Sequence, residues 1–405
     1  MPLTAVQRRD LRLLALFRGV SVLGDSIALI TLYLRVAHAG QGWMIAALSI
    51  AAALPLVLLA PIAGYVVDHV PAKAFLASLC LFEAGVCAAI GVWHGSFVTI
   101  VLMALLTCGV AFSLPGYSAL VPTLSGEENV AVAQSTIQSF QGVALTAGPA
   151  LGGLLVGATG QSWPLYLDAV SFLLAGAGTI MLRTDRRPKV LESHETTPER
   201  DLGAGVRLIF RDPMLRPVMV TVSVFMLSLG AVNVAEVFFI TRTLHASAVF
   251  YGLTGTSFGV GTVVGSLASK RLKQEPLGLV ITSLLAIVAI GVLIGAVGLV
   301  EHVVYVFPLM VAAGIAVGVV NVAFSTLFAV QTPEALRGRV FAASGALFTS
   351  AEISSMALGG LLLATLSPRT VFQLAGVFST LTVLVVGPLE LRTSRRARSL
   401  NVQGD

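Results

Sequence analysis

Residues 146–155 read TAGPALGGLL and residues 354–363 read SSMALGGLLL, so the letters ALGG return in similar apolar surroundings. The first stretch lies inside an apolar run that is too long for a buried strand. A proline in the interior of a helix removes a backbone hydrogen bond, and glycine is a poor helix former. The fold therefore has to explain Gly148-Pro149 and Gly152-Gly153 in one long helix, and Gly359-Gly360 in another.

The composition is that of a membrane protein. Of the 405 residues, 56% are hydrophobic and 11% are charged, whereas a soluble domain carries about 25% charged residues. The three cysteines stand in apolar segments and lack the spacing of a disulfide framework or a metal site. We therefore expect ordinary packing for the cysteines, and neither a metal nor a cofactor.

Twelve apolar segments are long enough to span a bilayer, which takes about 20 residues. The only long polar stretch separates the first six from the last six. We predict an all-α membrane protein with two pseudo-symmetric six-helix bundles, 1–183 and 214–392, a linker at 184–213 and a tail at 393–405. The predicted spans are 11–35, 43–67, 74–93, 96–122, 129–157, 163–182, 214–241, 248–269, 277–299, 303–330, 337–366 and 370–391.

The distribution of basic residues predicts the orientation in the membrane. If both termini are cytoplasmic, 21 of the 25 Lys and Arg residues lie on that side, Arg18 lies within a span, and Arg35, Arg242 and Arg369 lie outside. Such a bias is the positive-inside signature, and it accounts for the net charge of +5 without nucleic acid. The linker segment LGAGVRLIF, residues 202–210, predicts either a short interfacial amphipathic helix or a flexible tether.

The two halves of the chain are repeats. Residues 118–139 align with residues 325–346 at a separation of 207 positions, which also places Gly152-Gly153 on Gly359-Gly360. Two homologous six-span halves are typical of secondary transporters, whose substrate site lies between them near the midplane. The glycines then have a physical reason, because helices in lipid associate through small residues that let their backbones approach. Pro149 adds a kink that only the first half has, since Met356 replaces it in the second.

Three further segments are distinctive: VLGD at 22–25, GVAFSLPGYSALVP at 109–122 and PEALRGRV at 333–340. They resemble the macrolide- and siderophore-exporter type in the twelve-span bacterial efflux branch of the major facilitator superfamily. GPALGG at 148–153 is similar to the core of the antiporter motif of that family, and GYVVDHVPAK at 64–73 resembles its loop motif through Gly64, Asp68 and Lys73. The resemblance implies the major facilitator fold and a gating role for the loop residues. Leu105 stands where related drug/proton antiporters commonly carry an arginine, so their usual proton route is not expected here.

Charged residues within the spans are the best functional candidates, because a charge at the bilayer centre costs roughly 2.5–3.5 kcal/mol on insertion scales. In the first span Arg18, Ser21 and Asp25 form one polar stripe, which indicates proton coupling or substrate contact, or else a structural Arg18–Asp25 contact. Further candidates for the coupling site or the substrate cavity are Glu236 with Asn233, Glu352, Gln138 and Asn321.

Two other intramembrane acids have a plainer interpretation. Glu83 and Asp168 fall in spans three and six, which the family resemblance places outside the cavity, so we expect buried, hydrogen-bonded carboxyls. For Asp68 and Lys73 the alternative to a gate is a topology signal only.

The sequence predicts a secondary active transporter of the bacterial inner membrane that exports a small amphipathic or lipophilic compound by alternating access. Proton antiport is the expected drive, because GPALGG and Asp25 are present and no P-loop for ATP is found. The alternatives are an inward or intrabilayer carrier of a nutrient or lysolipid, or a receptor or scaffold that does not transport. The expected partners are the small-molecule cargo, protons and the lipid bilayer, with no nucleic acid, and we expect a monomer.

Overall fold

Twelve helices of membrane-spanning length and composition run through the described part of the chain, so the predicted all-α fold is confirmed. The computed structural model describes residues 4–38, 42–183, 204–212, 215–269, 275–332 and 337–402. The helices of the first half are α1 (Ala5–His38), α2 (Gly42–His69), α3 (Ala72–Val92), α4 (Ser96–Ser125), α5 (Val130–Thr159) and α6 (Trp163–Ile180). They are followed by α7 (Ala204–Arg211), α8 (Leu215–Phe238), α9 (Ala248–Ala268), α10 (Pro276–Val297), α11 (Val306–Gln331), α12 (Arg337–Leu362) and α13 (Pro368–Val402).

The helices extend beyond several of the predicted spans. The α1 helix begins at Ala5, and α13 continues to Val402 through most of the segment that the sequence suggested as a tail. Of the two alternatives for the linker segment, the structure has the short helix, α7, in which Ile209 is buried while Arg207 and Phe210 are exposed. Residues 184–203 of the predicted linker lie outside the described residues.

Two compact units make up the chain. The first comprises Met1–Ser193 together with Ala246–Thr256, and the second comprises His194–His245 together with Ser257–Asp405. The α9 helix therefore contributes its first half to one unit and its second half to the other. The division by sequence into 1–183 and 214–392 differs at this helix, because residues 246–256 pack against the first unit.

In each unit one helix pair carries the repeated glycine motif. In the first unit α5 packs on α1, and a Cβ added at Gly148 would overlap the Cβ of Ser26. In the second unit α12 packs on α8, and the glycine and the serine are exchanged. Ser355 stands at the position equivalent to Gly148 and faces Gly230 of α8. Each close approach thus joins one glycine to one serine, because two side chains of serine size would not fit.

The second unit contains a tighter glycine contact that the sequence analysis did not identify. Gly261 and Gly265 of α9 face Gly314 and Gly318 of α11, each pair spaced by four residues. A Cβ at any of the four would overlap a backbone carbonyl oxygen of the opposite helix, for example that of Ile315 at Gly265. This is the small-xxx-small arrangement that lets membrane helices pack backbone against backbone.

Arg35 holds three segments of the first unit together. The sequence placed it in an outside loop, but it lies within α1 and is only 4% exposed. Its Nη1 donates to Ile90 O at 2.6 Å, near the end of α3, and its Nη2 donates to Gln161 O at 3.2 Å, between α5 and α6. Carbonyls at and beyond helix ends lack intrahelical partners, so the guanidinium gives these two carbonyls hydrogen bonds that lipid could not supply.

The α9–α11 contact predicts the effect of one methyl group. Gly265→Ala should lower the free energy of unfolding by about 1–3 kcal/mol, because overpacked contacts cost that much. Gly345→Ala is the matched control: nothing lies within 4 Å of a Cβ there, so the substitution should stabilise the helix by up to about 1 kcal/mol. Thermal unfolding of the purified protein in detergent measures both, and equal stabilities would contradict the contact.

The Gly148–Ser26 contact and its counterpart Ser355–Gly230 predict that a second substitution can compensate for a destabilising first one. Gly148→Ser alone should destabilise the protein by about 1–3 kcal/mol through its clash with Ser26. Adding Ser26→Gly reproduces the arrangement of Gly230 and Ser355, so the double variant should recover most of the loss. A double-mutant cycle of unfolding free energies measures the coupling, and simple additivity of the two changes would disprove it.

Candidate functional site

A cavity of about 240 Å³ lies inside the first unit, and its wall holds three ionisable side chains. Arg18 and Asp25 come from α1 and Glu83 comes from α3. The remaining lining consists of Ser113 and Gln141 as polar groups, with Val22, Val110, Leu114, Leu145 and Phe172. The helices α1, α3, α4, α5 and α6 all contribute to it, so a change in the packing of any of them alters the cavity.

The guanidinium of Arg18 rests on an aromatic ring. Its Cζ lies 4.4 Å from the centre of the Tyr117 ring, a distance typical of a cation–π contact. Within the described part of the chain, Arg18 forms no ion pair within 4.0 Å with Asp25 or Glu83. The direct Arg18–Asp25 contact considered from the sequence is therefore absent, although both residues face the same cavity.

Glu83 is buried at the cavity wall. It is 2% exposed, and Ser113 Oγ donates a hydrogen bond to its Oε1 at 2.7 Å. The expected buried, hydrogen-bonded carboxyl is confirmed. The sequence did not show that this carboxyl shares a cavity with Asp25, since the two residues are 58 positions apart and on different helices.

Asp168 is also a buried, hydrogen-bonded carboxyl, as expected. Its Oδ2 accepts from Cys87 Sγ at 3.2 Å, and its Oδ1 accepts from Ser171 Oγ at 3.0 Å. A Cβ added at Gly24 would overlap both Asp168 Oδ1 and Ser171 Oγ. The Asp168 carboxyl therefore lies against the backbone of α1 at Gly24, the residue that precedes Asp25 in the chain.

Two of the three residues in the stripe predicted along α1 line this cavity, and the proton coupling or substrate contact expected of them stays a prediction. Arg18 and Asp25 line the cavity together with Val22, whereas Ser21 does not line it and is 1% exposed. Spacing alone does not separate Ser21 from Val22, because steps of three and four residues lead from position 18 to position 25 through either of them along one helix face. Ser21 lies at the flank of that face, where it is covered by the packing of the helices.

The other candidates do not line this cavity. On α5, Gln138 is exposed, and Gln141, one turn further along, reaches the cavity instead. In the second unit Asn321 is exposed, while Asn233, Glu236 and Glu352 are half-buried. Their roles in coupling or substrate contact stay predictions.

The proposed gate residues have separate surroundings. A Cβ at Gly64 would meet no atom within 4 Å, so this glycine is not a close packing contact. The side chain of Asp68 lies outside the described residues. Lys73 Nζ donates to Leu182 O just beyond α6, next to Arg183, whose N–H donates to Asp10 Oδ2 at 2.9 Å. Lys73 and Asp10 thus hold the same end of α6.

The motif around Pro149 contacts the part of α9 that belongs to the first unit. A Cβ at Gly153 would overlap Ala248 O, and a Cβ at Gly252 would overlap Pro149 O. Next to the proline, the N–H of Ala150 donates to Thr256 Oγ1 at 3.0 Å. A proline inside a membrane helix leaves backbone groups that need other partners, and Thr256 supplies one next to Pro149. Gly152 packs on Ile27, as Gly359 packs on Ala231 in the second unit, and Gly360 is buried.

The repeat shows which polar groups the fold itself requires. The contacts Gly91–Tyr166 and Gly298–Gln373 are equivalent and lie 207 positions apart. With this separation Glu83 corresponds to Ile290, Ser113 to Val320 and Asp168 to Ala375, all buried apolar residues.

The charged residues of α1 also correspond to apolar residues in the second half. The contacts Gly152–Ile27 and Gly359–Ala231 align α1 with α8 at a separation of 204 positions. Arg18 then corresponds to the buried Val222, and Asp25 to the half-buried Leu229. Because the second half forms its six helices with apolar residues at these positions, the charges of the first half are not needed to form the helices.

Comparison with known proteins agrees with this architecture. The chain is 24% identical to the uncharacterized MFS-type transporter YfiS of Bacillus subtilis, over 98% of this chain and 96% of that protein. It is 21% identical to macrolide efflux protein A of Enterococcus faecalis, over 55% of this chain and 71% of that one. These relatives are transporters rather than enzymes.

A solved structure shows the same fold. The inward-facing, unoccupied bacterial homologue of the human lysosomal transporter Spinster superposes with a TM-score of 0.72 at 12% identity, covering 97% of this chain and 98% of that one. At this identity the likeness concerns the fold alone. The model of the Major Facilitator Superfamily matches residues 14–353 and 218–403. The chain is therefore a multi-pass membrane transporter that belongs to the Major Facilitator Superfamily.

Proposed function

We propose that this transporter exports a small amphipathic or lipophilic compound by alternating access, in exchange for protons. The observation that carries the proposal is the cavity with Arg18, Asp25 and Glu83. Charges inside a membrane are costly and mark ion pathways by default, and the equivalent positions of the second half do without them. Asp25 is the residue proposed to take up and release the coupling proton.

The small number of charged residues in the spans bears on the nature of the cargo. Few fixed charges occur in spans one, four, seven and ten, which surround the substrate in this family, so a neutral or lipophilic cargo fits better than a strongly charged one. The similarity to macrolide efflux protein A supports the direction and suggests a macrolide as a first probe.

The proposed location is the bacterial inner membrane with both termini in the cytoplasm. The excess of Lys and Arg in the loops on the side of the termini supports this orientation. In it, Lys73 and Asp10 hold the cytoplasmic end of α6, and Arg35 lies near the outer surface.

The proton drive is tested with Asp25→Asn, which keeps the size of the side chain and removes its ionisable group. Efflux of preloaded radiolabelled erythromycin from cells that express the variant should fall to the rate of cells without the transporter. The physical reason is that an amide cannot exchange a proton with either side. Membrane levels of the protein, measured by immunoblot, should stay unchanged.

Two controls accompany this measurement. Glu301→Gln changes an exposed carboxyl in the loop before α11 and should leave efflux unchanged. An uncoupler should stop efflux by the unchanged protein. Efflux that persists with the uncoupler would remove protons from the proposal, and accumulation of erythromycin instead of loss would identify an inward carrier.

A further inference from the structure

We propose that Glu83 is a second coupling residue, and that Glu83 and Asp25 share one proton with Arg18 as their common counter-charge. The inference rests on the proton coupling proposed above and extends it from one carboxyl to a pair. It starts from the fact that the cavity wall places both carboxyls and one guanidinium around the same space of about 240 Å³.

The charges in the cavity wall do not balance by themselves. With both carboxyls ionised, the three groups carry a net charge of −1, and an uncompensated charge within a membrane is expensive. One proton on either carboxyl makes the set neutral. The polar side chains Ser113 and Gln141, which complete the wall, carry no charge.

Arg18 is placed to serve both carboxyls. Its guanidinium is held over the Tyr117 ring and is not committed to an ion pair with Asp25 or Glu83. When the proton leaves one carboxyl and is accepted by the other carboxylate, the positive charge stays in the same cavity. Only the proton moves, and no further reactant is needed.

Ser113 positions Glu83 for this role. Its hydroxyl donates to Oε1 at 2.7 Å and leaves Oε2 for the proton. Two further titratable groups lie next to the wall without lining it. Tyr117 O–H contacts Cys80 and Thr179, and Asp168, which lies against α1 at Gly24, accepts from Cys87 and Ser171. The counterparts Ile290 and Val320 in the second half are apolar, which argues that packing does not require this carboxyl and hydroxyl.

Proton uptake by the purified protein tests the pair without any cargo. A pH-indicator dye measures the protons bound when the detergent solution is brought from mildly alkaline to mildly acidic pH. Glu83→Gln and Asp25→Asn should each bind about one proton per chain fewer than the unchanged protein, because either change leaves one carboxylate balanced by Arg18. Glu301→Gln, at an exposed position, is the matched control and should show no loss over this range.

The proton uptake of Glu83→Gln decides between a carboxyl pair and Asp25 acting alone. Unchanged uptake by Glu83→Gln overturns the proposal, and so does a loss confined to Asp25→Asn. If Glu83→Gln does not fold, Ser113→Ala keeps the carboxyl and removes its hydrogen bond; it should shift the pH of uptake, and an unshifted curve overturns the proposal.

Transport then distinguishes this inference from the proposed function. In proteoliposomes with a proton gradient, Glu83→Gln should lose uphill transport of erythromycin and keep its counterflow without a gradient, while Glu83→Asp should recover uphill transport. Uphill transport by Glu83→Gln at the unchanged rate overturns the pair. If the unchanged protein does not transport erythromycin, the cargo proposal fails, whereas the proton count still decides the role of Glu83.

Discussion

Close approach of helix backbones is the constraint on which the rest of this structure depends. Lipid gives no hydrophobic drive for helices to associate, so contacts must come from packing and hydrogen bonds. The structure meets this requirement with glycine at the points of contact: Gly148 and Gly152 against α1, Gly261 and Gly265 against α11. At one equivalent position the first half has a glycine and the second half a serine, and the partner residue changes in the opposite sense: Gly148 faces Ser26, whereas Ser355 faces Gly230.

Backbone groups without helical partners are satisfied by a few long or polar side chains. Arg35 reaches the carbonyls of Ile90 and Gln161, Lys73 reaches that of Leu182, and Thr256 accepts a hydrogen bond from the N–H of Ala150 beside Pro149. Such a group would cost several kcal/mol if it were left unpaired in the water-free core of the bilayer. Arg35, which the sequence suggests only as a topology signal, therefore also has a structural role, and so does Lys73.

The repeat provides an internal comparison that separates structure from function. Both halves build six helices with equivalent contacts, yet only the first places Arg18, Asp25 and Glu83 around one cavity. At the matching positions the second half has Val222, Leu229 and Ile290. The fold forms without these charges in the second half, and the exchange of a proton with the two sides of the membrane is the role that we propose for them in the first half.

The sequence by itself determined the fold class, the twelve spans and the two-fold repeat, because span length and hydropathy follow directly from the thickness and apolarity of the bilayer. It also identified Arg18 and Asp25, since charges on one helix face are visible at helical spacing. Only the tertiary structure decided that Glu83 and Gln141 join them and that Ser21 and Gln138 do not. Side-chain packing between helices far apart in the chain decides which faces of α1, α3 and α5 meet. Hydropathy does not reveal this packing.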